Sequence, residues 1–226
     1  MRRSLYAAAF MVVGALSPAA DAAQPCAVVP MPCTFEGEAF AITIVDAETH
    51  RPVSDVHALA EWRMYGPGDR PNGPLMVQDA TSTSDGVVTF PGWGPLPGPR
   101  PGLVVGDDPV ITLFKSGYRP FVVNNMNLPP ARERERVRRF LPTDRTPGLQ
   151  PFRGTPDEWV QELKKIYRGM AFPRADDQSA QFRSQYLNRI RRVWAERDHV
   201  PEIYLRRPEF FWFVADYMNE LERASR

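Results

Sequence analysis

Apolar and polar residues alternate in the first half of the chain, as they do in strands that bury one face. Phe40, Ile42 and Ile44 alternate with smaller or polar neighbours. The following run predicts a longer strand with two distinct faces. One face carries Val56, Ala58, Ala60, Trp62 and Met64, and the other carries His57, Leu59, Glu61, Arg63 and Tyr65. This half is therefore predicted to be an antiparallel β-structure.

Turn residues separate the strand-like runs. Asp85-Gly86 stands directly before residues 87–90, which predicts a tight turn followed by a strand. Two further apolar runs, 110–114 and 120–123, flank Lys115-Ser116-Gly117-Tyr118, which predicts a hairpin with glycine at its special backbone position. The arginine-rich segment 132–141 is compatible with a strand or a helix. We favour the strand, because prolines bound the segment tightly.

The last third of the chain has the periodicity of helices. Thr155, Pro156 and Glu158 predict a helix start, with a capping threonine, a proline in the first turn and a glutamate that completes a capping box. An apolar stripe follows, formed by Trp159, Leu163, Ile166, Tyr167 and Met170. This pattern predicts a first amphipathic helix.

Two more helices are predicted after it. The second starts near residues 176–179 and turns Phe182, Tyr186, Ile190, Val193 and Trp194 inward, with Arg183, Arg189, Arg192 and Glu196 on its outer side. The third begins at Pro208, and its apolar turn 210–214 is expected to be buried on more than one side. The helices are therefore expected to form a small bundle or a cover packed on the β half.

Residues 1–22 have the three parts of an export signal. Arg2 and Arg3 form a positive end, residues 5–16 are almost entirely apolar, and Ala20-Asp21-Ala22 places small residues where a signal peptidase cleaves. The apolar stretch falls short of the roughly 20 residues that span a bilayer comfortably. The sequence therefore predicts an exported protein, periplasmic or extracellular, with no stable transmembrane segment after cleavage near Ala22.

Export bears on the two cysteines, Cys26 and Cys33. In an oxidising compartment such a pair is expected to form a disulfide. A metal or redox role would need a closer pair or further ligands, so we expect no cofactor and no metal.

Charge is unevenly distributed along the mature chain. Residues 23–129 contain 6 basic and 11 acidic residues, and residues 130–226 contain 20 basic and 15 acidic ones. Two interpretations fit this asymmetry: the two halves attract each other, or the basic half presents a face to anionic lipid, glycan or an acidic protein. Nucleic acid is not an expected partner outside the cytoplasm.

Three β motifs carry a resemblance to a known family. They are VDAETHRPVSDV from Val45, SDGVVTF from Ser84 and KSGYRP from Lys115. In this order they resemble the transthyretin-like β-sandwich in its carboxypeptidase regulatory-like variety. The resemblance implies a mostly non-catalytic domain. The expected fold class is α+β, with an N-terminal segment over residues 23–35, a transthyretin-like antiparallel β-sandwich over 36–142, a linker over 143–154 and a helical subdomain of about three helices over 155–226.

Catalytic motifs are absent from the sequence. There is no HExxH, GxSxG, P-loop or dinucleotide fingerprint. For His50, His57 and His199 we expect surface or structural roles, because a functional histidine needs a positioned partner. The sequence therefore predicts no enzyme activity.

The proline- and glycine-rich loop 90–101 is the best binding candidate, because an aromatic residue on a stiff loop loses little entropy on binding. Its Trp93 and Arg100, together with Arg136 and Arg138, are the predicted contact residues. The alternative for Trp93 is that its ring folds back onto the protein, as large aromatic residues commonly do.

We therefore expect an exported, non-catalytic binding or interaction module of the cell envelope that binds an envelope protein or a glycan. One alternative is a hydrolase that uses His57 or dispersed carboxylates between the sandwich and the helices. Another is a structural or assembly factor.

Overall fold

The computed structural model describes residues 34–98, 103–106, 109–123, 136–142, 145–169 and 181–223. Within these ranges the chain is mixed α+β, with strands in several sheets followed by three α-helices. The predicted leader, both cysteines and Arg100 lie outside the described residues.

The strands are β1 (Thr34–Gly37), β2 (Phe40–Thr43), β3 (Val45–Asp46), β4 (His57–Gly66), β5 (Arg70–Thr81), β6 (Val87–Phe90), β7 (Trp93–Pro97), β8 (Val104–Val105), β9 (Val110–Phe114), β10 (Phe121–Val123), β11 (Val137–Arg138) and β12 (Gly148–Leu149). The helices are α1 (Pro156–Gly169), α2 (Arg183–Ala195) and α3 (Phe210–Arg223), with 3-10 turns at Glu196–His199 and Glu202–Leu205.

A central sheet has the strand order β10-β9-β4-β5, and β8 also pairs with β4. Its longest pairing is the antiparallel β4–β5 hairpin, which runs from His57 opposite Thr81 to Gly66 opposite Arg70. Strand β5 was not predicted, because its prolines are typical of loops. It lies at one end of the strand order, and an edge strand tolerates proline because the missing N–H is not needed there.

The two faces of β4 pack into different apolar clusters, as the alternation predicted. Ala58, Ala60, Trp62 and Met64 belong to a cluster shared with the small sheets β11-β1-β7 and β2-β6. On the opposite face Leu59 joins a cluster made mainly of residues from the three helices. The helices therefore pack as a cover on the central sheet, which was one of the two expected arrangements.

Two of the three motifs behind the family resemblance meet in the fold. Asp46 accepts main-chain N–H groups of Glu48 and Thr49 at 2.9 and 2.8 Å and the Tyr118 hydroxyl at 3.0 Å. In the remaining motif, SDGVVTF, Gly86 has φ +72°, and a Cβ there would lie 2.4 Å from the carbonyl oxygen of Ile44. The motifs therefore hold neighbouring turns in contact, which is a structural role.

The capping box of α1 is confirmed. Glu158 Oε2 accepts the main-chain N–H of Thr155 at 2.7 Å, and the Glu158 N–H is 3.3 Å from Thr155 Oγ1. The β9–β10 hairpin and the strand β6 after Asp85-Gly86 are confirmed as well. In the described part of segment 132–141, Val137–Arg138 is a strand, parallel to β1.

Helix α2 corrects the predicted division into inner and outer faces. Arg189 and Glu196 were expected outside, yet they are 0% and 4% exposed. The buried surface of α2 is wider than its apolar stripe indicates, because Arg189, on the polar side, also contacts the central sheet. In α3 the apolar turn 210–214 was expected to be buried on more than one side; Phe210, Phe211 and Val214 are buried, and Phe213 is 45% exposed.

Two segments that the sequence predicts as a linker and a loop contain paired β-strands in the structure. In the expected linker 143–154, β12 pairs in parallel with β3, and Phe152 N–H donates to the Gly117 carbonyl at 2.8 Å. The expected loop around Trp93 is strand β7, antiparallel to β1. In both places backbone pairing with a distant segment overrides the local turn composition.

Candidate functional site

The structure places two of the four predicted contact residues inside the fold. Trp93 and Arg138 are opposite the same residue, Gly37, from the two strands that flank β1. Trp93 is 8% exposed and packs edge-on against Trp62, with ring centroids 5.3 Å apart. A Cβ at Gly37 would overlap the Trp93 indole ring. The ring therefore fills the core and offers no face on which a ligand could stack.

The two predicted contact arginines at β11, Arg138 within the strand and Arg136 directly before it, have different surroundings. Arg138 is 2% exposed, and its guanidinium carbon is 5.9 Å from the centre of the Phe35 ring. Its Nη2 atom is 3.5 Å from the Gly106 carbonyl oxygen. Arg136 is exposed and donates to Thr34 Oγ1 at 3.0 Å. The buried Arg138 is thus no surface contact, and Arg136 alone of this pair faces solvent.

A buried polar cluster joins β4 and β5 to α2. His57 Nε2 is 3.2 Å from Asp79 Oδ2, which also accepts the Asn188 side-chain amide at 3.0 Å. Arg189 Nε donates to His57 Nδ1 at 2.9 Å. The same guanidinium donates to the carbonyl oxygens of His57 and Thr112 at 3.0 and 2.6 Å.

These contacts fix the protonation of His57. Since Nδ1 accepts from Arg189, Nε2 carries the proton and donates it to Asp79. The pKa of His57 is lowered from 6.5 to about 4, mainly by burial; the charge of Arg189 acts in the same direction, and the Asp79 contact opposes both. Burial alone would raise the pKa of Asp79, but hydrogen bonds from His57 and Asn188 outweigh it and lower that pKa.

This cluster is a structural bridge between sheet and helix. His57 is 2% exposed, so a substrate cannot reach it. A general base needs an unprotonated nitrogen within reach of its substrate, and here Arg189 occupies that nitrogen. Burial lowers the pKa of Arg189 from 12.5 to about 9, but this value is still above neutral pH, so the guanidinium remains protonated.

An open cavity of about 270 Å³ lies between the β9–β10 turn and the helices. We call it the Glu196 pocket, and its walls are Ser116, Gly117, Phe152, Gly154, Pro156, Trp159, Glu196 and His199. The wall residues come from the β9–β10 turn, the segment that follows β12, the first turn of α1 and the 3-10 turn after α2. Tertiary packing alone brings them together.

Glu196 is the charged centre of this pocket. Its Oε2 atom accepts the Trp159 indole N–H at 3.0 Å and the Ser116 hydroxyl at 3.2 Å. His199 Nδ1 is 3.7 Å from the same oxygen, and that imidazole is 68% exposed. The carboxylate is therefore held in one orientation by two donors, one from the β9–β10 turn and one from α1.

These residue types resemble a catalytic triad in composition but not in geometry. In a serine hydrolase the histidine lies between the serine and the acid and takes the serine proton. Here the carboxylate lies between Ser116 and His199, and Ser116 donates to Glu196. In this arrangement Ser116 and Trp159 orient the Glu196 carboxylate, and His199 is not placed to take a proton from Ser116.

Sequence reasoning missed this site. Glu196 was assigned to the outer side of α2, and Ser116 is 80 positions away in the chain. The available signal was Ser116-Gly117 in a predicted hairpin turn, which placed backbone at one end of the sheet but gave no indication of what would pack there.

A second cavity of about 290 Å³ lies beside Lys164, Tyr167, Pro208, Glu209, Phe210 and Phe213. Neither of its two charged lining residues, Lys164 and Glu209, is buried. It therefore lacks the desolvated, oriented charge that distinguishes the Glu196 pocket.

Within the described ranges, no group of three or more histidine, cysteine or acidic side chains is arranged to hold a metal ion. The helices found there are all too short or too polar to cross a membrane. A scan against models of known protein families finds no match to this chain, and a search of curated proteins finds no significant relative.

Proposed function

We propose that this protein is an exported, non-catalytic binding module of the cell envelope, and that its ligand enters the Glu196 pocket. The observation that carries the proposal is the buried Glu196 carboxylate, oriented by Ser116 and Trp159 in the wall of an open cavity. Export and cleavage near Ala22 are part of the proposal and rest on the leader pattern.

The β half is proposed to be a transthyretin-like sandwich of the carboxypeptidase regulatory-like variety. The order of the three motifs supports this, as does the hydrogen bond from Tyr118 to Asp46, which joins the first motif to the last. Domains of this kind are mostly non-catalytic, in agreement with the carboxylate-centred geometry of the pocket.

The chemistry of the walls supports the proposal of binding without catalysis. Pockets that bind small groups combine apolar walls with a few oriented polar atoms. Phe152 and Trp159 supply the apolar part, with ring centroids 4.9 Å apart. The one histidine near a carboxylate in the central sheet, His57, is buried and held by Arg189, so the hydrolase alternative has no accessible base there.

The test is ligand screening with a blocked pocket. Saturation-transfer NMR on the mature protein would use a panel of amines, amino acids, organic acids and short oligosaccharides. Ser116→Tyr places a ring at the pocket wall, and Ser84→Tyr, in the exposed turn before β6, is the matched control. We expect ligands that bind the wild type and Ser84→Tyr, are lost in Ser116→Tyr and are recovered unchanged. Equal binding by Ser116→Tyr, or chemical conversion of the ligand, would overturn the proposal.

A further inference from the structure

We infer that the Glu196 pocket takes a cation, an ammonium or guanidinium group on a short apolar stem. This inference rests on the proposed function, since it names the class of ligand that the pocket binds. Three features of the described residues carry it: an uncompensated buried carboxylate, an unused carboxylate oxygen and walls that suit a cation.

The buried carboxylates of this protein show the contrast. Glu61, which is fully buried, has Arg63 at 2.6 Å. Glu162 has Arg119 at 2.9 Å and Lys165 at 2.8 Å. Glu196 is 4% exposed, and across the described ranges no lysine or arginine nitrogen comes within 4.0 Å of its carboxylate.

A buried charge without a partner is costly, so proteins pair such charges or bind an ion there. His199 does not fill the role of a fixed partner, since it is 68% exposed and lies 3.7 Å from the carboxylate. The nearby Arg197 is engaged elsewhere: it donates to the Trp194 carbonyl at 3.2 Å, and its guanidinium carbon is 5.0 Å from the Trp194 ring centre. The missing positive charge is therefore expected to come from a ligand.

The second feature is the free side of the carboxylate. Both hydrogen bonds to Glu196 end on Oε2, and no hydrogen bond to Oε1 occurs among the described residues. Asp46, another buried carboxylate without a cation, is different, because two main-chain N–H groups and a tyrosine hydroxyl satisfy both of its oxygens. Oε1 of Glu196 is thus available to a donor that enters from the cavity.

The third feature is the character of the walls. Aromatic rings such as Trp159 and Phe152 attract cations to their faces, and the Arg119 guanidinium carbon already lies 5.6 Å from the centre of the Phe152 ring. The C-terminal end of α2, where Glu196 lies, carries the negative end of the helix dipole. The first turn of α1 offers few free N–H donors to an anion, because Pro156 has no N–H and the N–H of Glu158 donates to Thr155 Oγ1.

Size limits the ligand to one small group. Pockets for whole drug-sized molecules have volumes of about 300–1,000 Å³. The Glu196 pocket, at about 270 Å³, suits the end of one side chain or one small amine. A free amine and the lysine side chain of a polypeptide offer the same chemistry.

Isothermal titration calorimetry on the mature protein would compare n-butylammonium with neutral 1-pentanol and anionic pentanoate. The variant Glu196→Gln keeps the shape of the side chain and removes its charge, and Glu202→Gln, at a position whose side chain is 76% exposed, is the matched control. We expect n-butylammonium to bind about tenfold or more tightly than the other two compounds, and Glu196→Gln to lose this preference. Preference for the neutral or anionic compound, or an unchanged preference in Glu196→Gln, would overturn the inference.

Thermal stability without ligand is an independent readout. Removing an uncompensated buried charge should leave the melting temperature of Glu196→Gln unchanged or raise it by about 2–4 °C. A marked fall would show that the carboxylate is compensated within the fold, and the inference would fail.

The Ser116→Tyr variant distinguishes failure of the cation inference from failure of the proposed function. A lysine peptide distinguishes the two sources of the cation, a polypeptide and a free amine. If Ser116→Tyr abolishes binding of a neutral or anionic compound, the pocket is a binding site and only the cation inference is wrong. If no compound shows binding that Ser116→Tyr abolishes, both proposals fail. Tighter binding of N-acetyl-Gly-Lys-Gly-amide than of n-butylammonium would support the inference and assign the cation to a polypeptide, and the reverse order would support it and assign the cation to a free amine.

Discussion

Replacing Arg189 by methionine should destabilise the protein strongly, although this residue belongs to a helix face that its sequence marks as polar. The guanidinium is fully buried and donates to three acceptors: His57 Nδ1 and the carbonyl oxygens of His57 and Thr112. Methionine retains much of the apolar stem but donates to none of them. A buried acceptor left without its donor costs about 1–3 kcal/mol. At the lower value for each acceptor, the free energy of unfolding should fall by about 3 kcal/mol.

The control lies one turn along the same helix. Arg192 is 36% exposed, and its Nη1 atom is 3.4 Å from Asp55, which is 66% exposed. Exposed ion pairs contribute about 0–1 kcal/mol, so Arg192→Met should change stability by less than about 1 kcal/mol. Urea unfolding followed by circular dichroism would measure both variants, provided that the slope with denaturant is unchanged. Equal losses in the two variants, or a loss below about 1 kcal/mol for Arg189→Met, would refute the assigned role of the cluster.

Three further predictions concern the core, one turn and pH. Trp93→Ala should lower the free energy of unfolding by about 3–5 kcal/mol in urea titrations, since its ring is buried; a loss below about 1 kcal/mol would contradict that packing. Gly86→Ala should lower the melting temperature more than Gly68→Ala, because both glycines have φ near +70° but only Gly86 has backbone within 4 Å of an added Cβ. Equal falls would refute the close approach. The lowered pKa of His57, about 4 against 6.5, means that the unfolded chain binds a proton before the folded one. Stability should therefore be level above pH 6.5 and fall by about 3 kcal/mol as pH drops from 6.5 to 4, as measured by urea midpoints, and a flat profile would contradict the buried neutral imidazole.

Local patterns were sufficient for much of the fold. The two faces of β4, the β9–β10 hairpin and the capping box of α1 depend on residues a few positions apart. Alternation, turn residues and helix caps act over such short distances, so the sequence indicates them directly. Where the pairing partner is distant, the same signals were misleading, as in β7 and β12, whose turn-rich composition concealed strands that pair with β1 and β3.

The sequence by itself therefore determined the α+β class, the succession of a β half and a helical half, and the two distinct faces of β4. Only the tertiary structure decided which polar residues are buried and what they contact. Arg189 and Arg192 of α2 and Glu196, directly after this helix, carry the same local signal of a solvated helix face. In the structure Arg189 binds the sheet, Arg192 stays at the surface and Glu196 lines a pocket. Burial of a charge depends on donors and acceptors that arrive from other parts of the chain, and no local period of a sequence encodes that meeting.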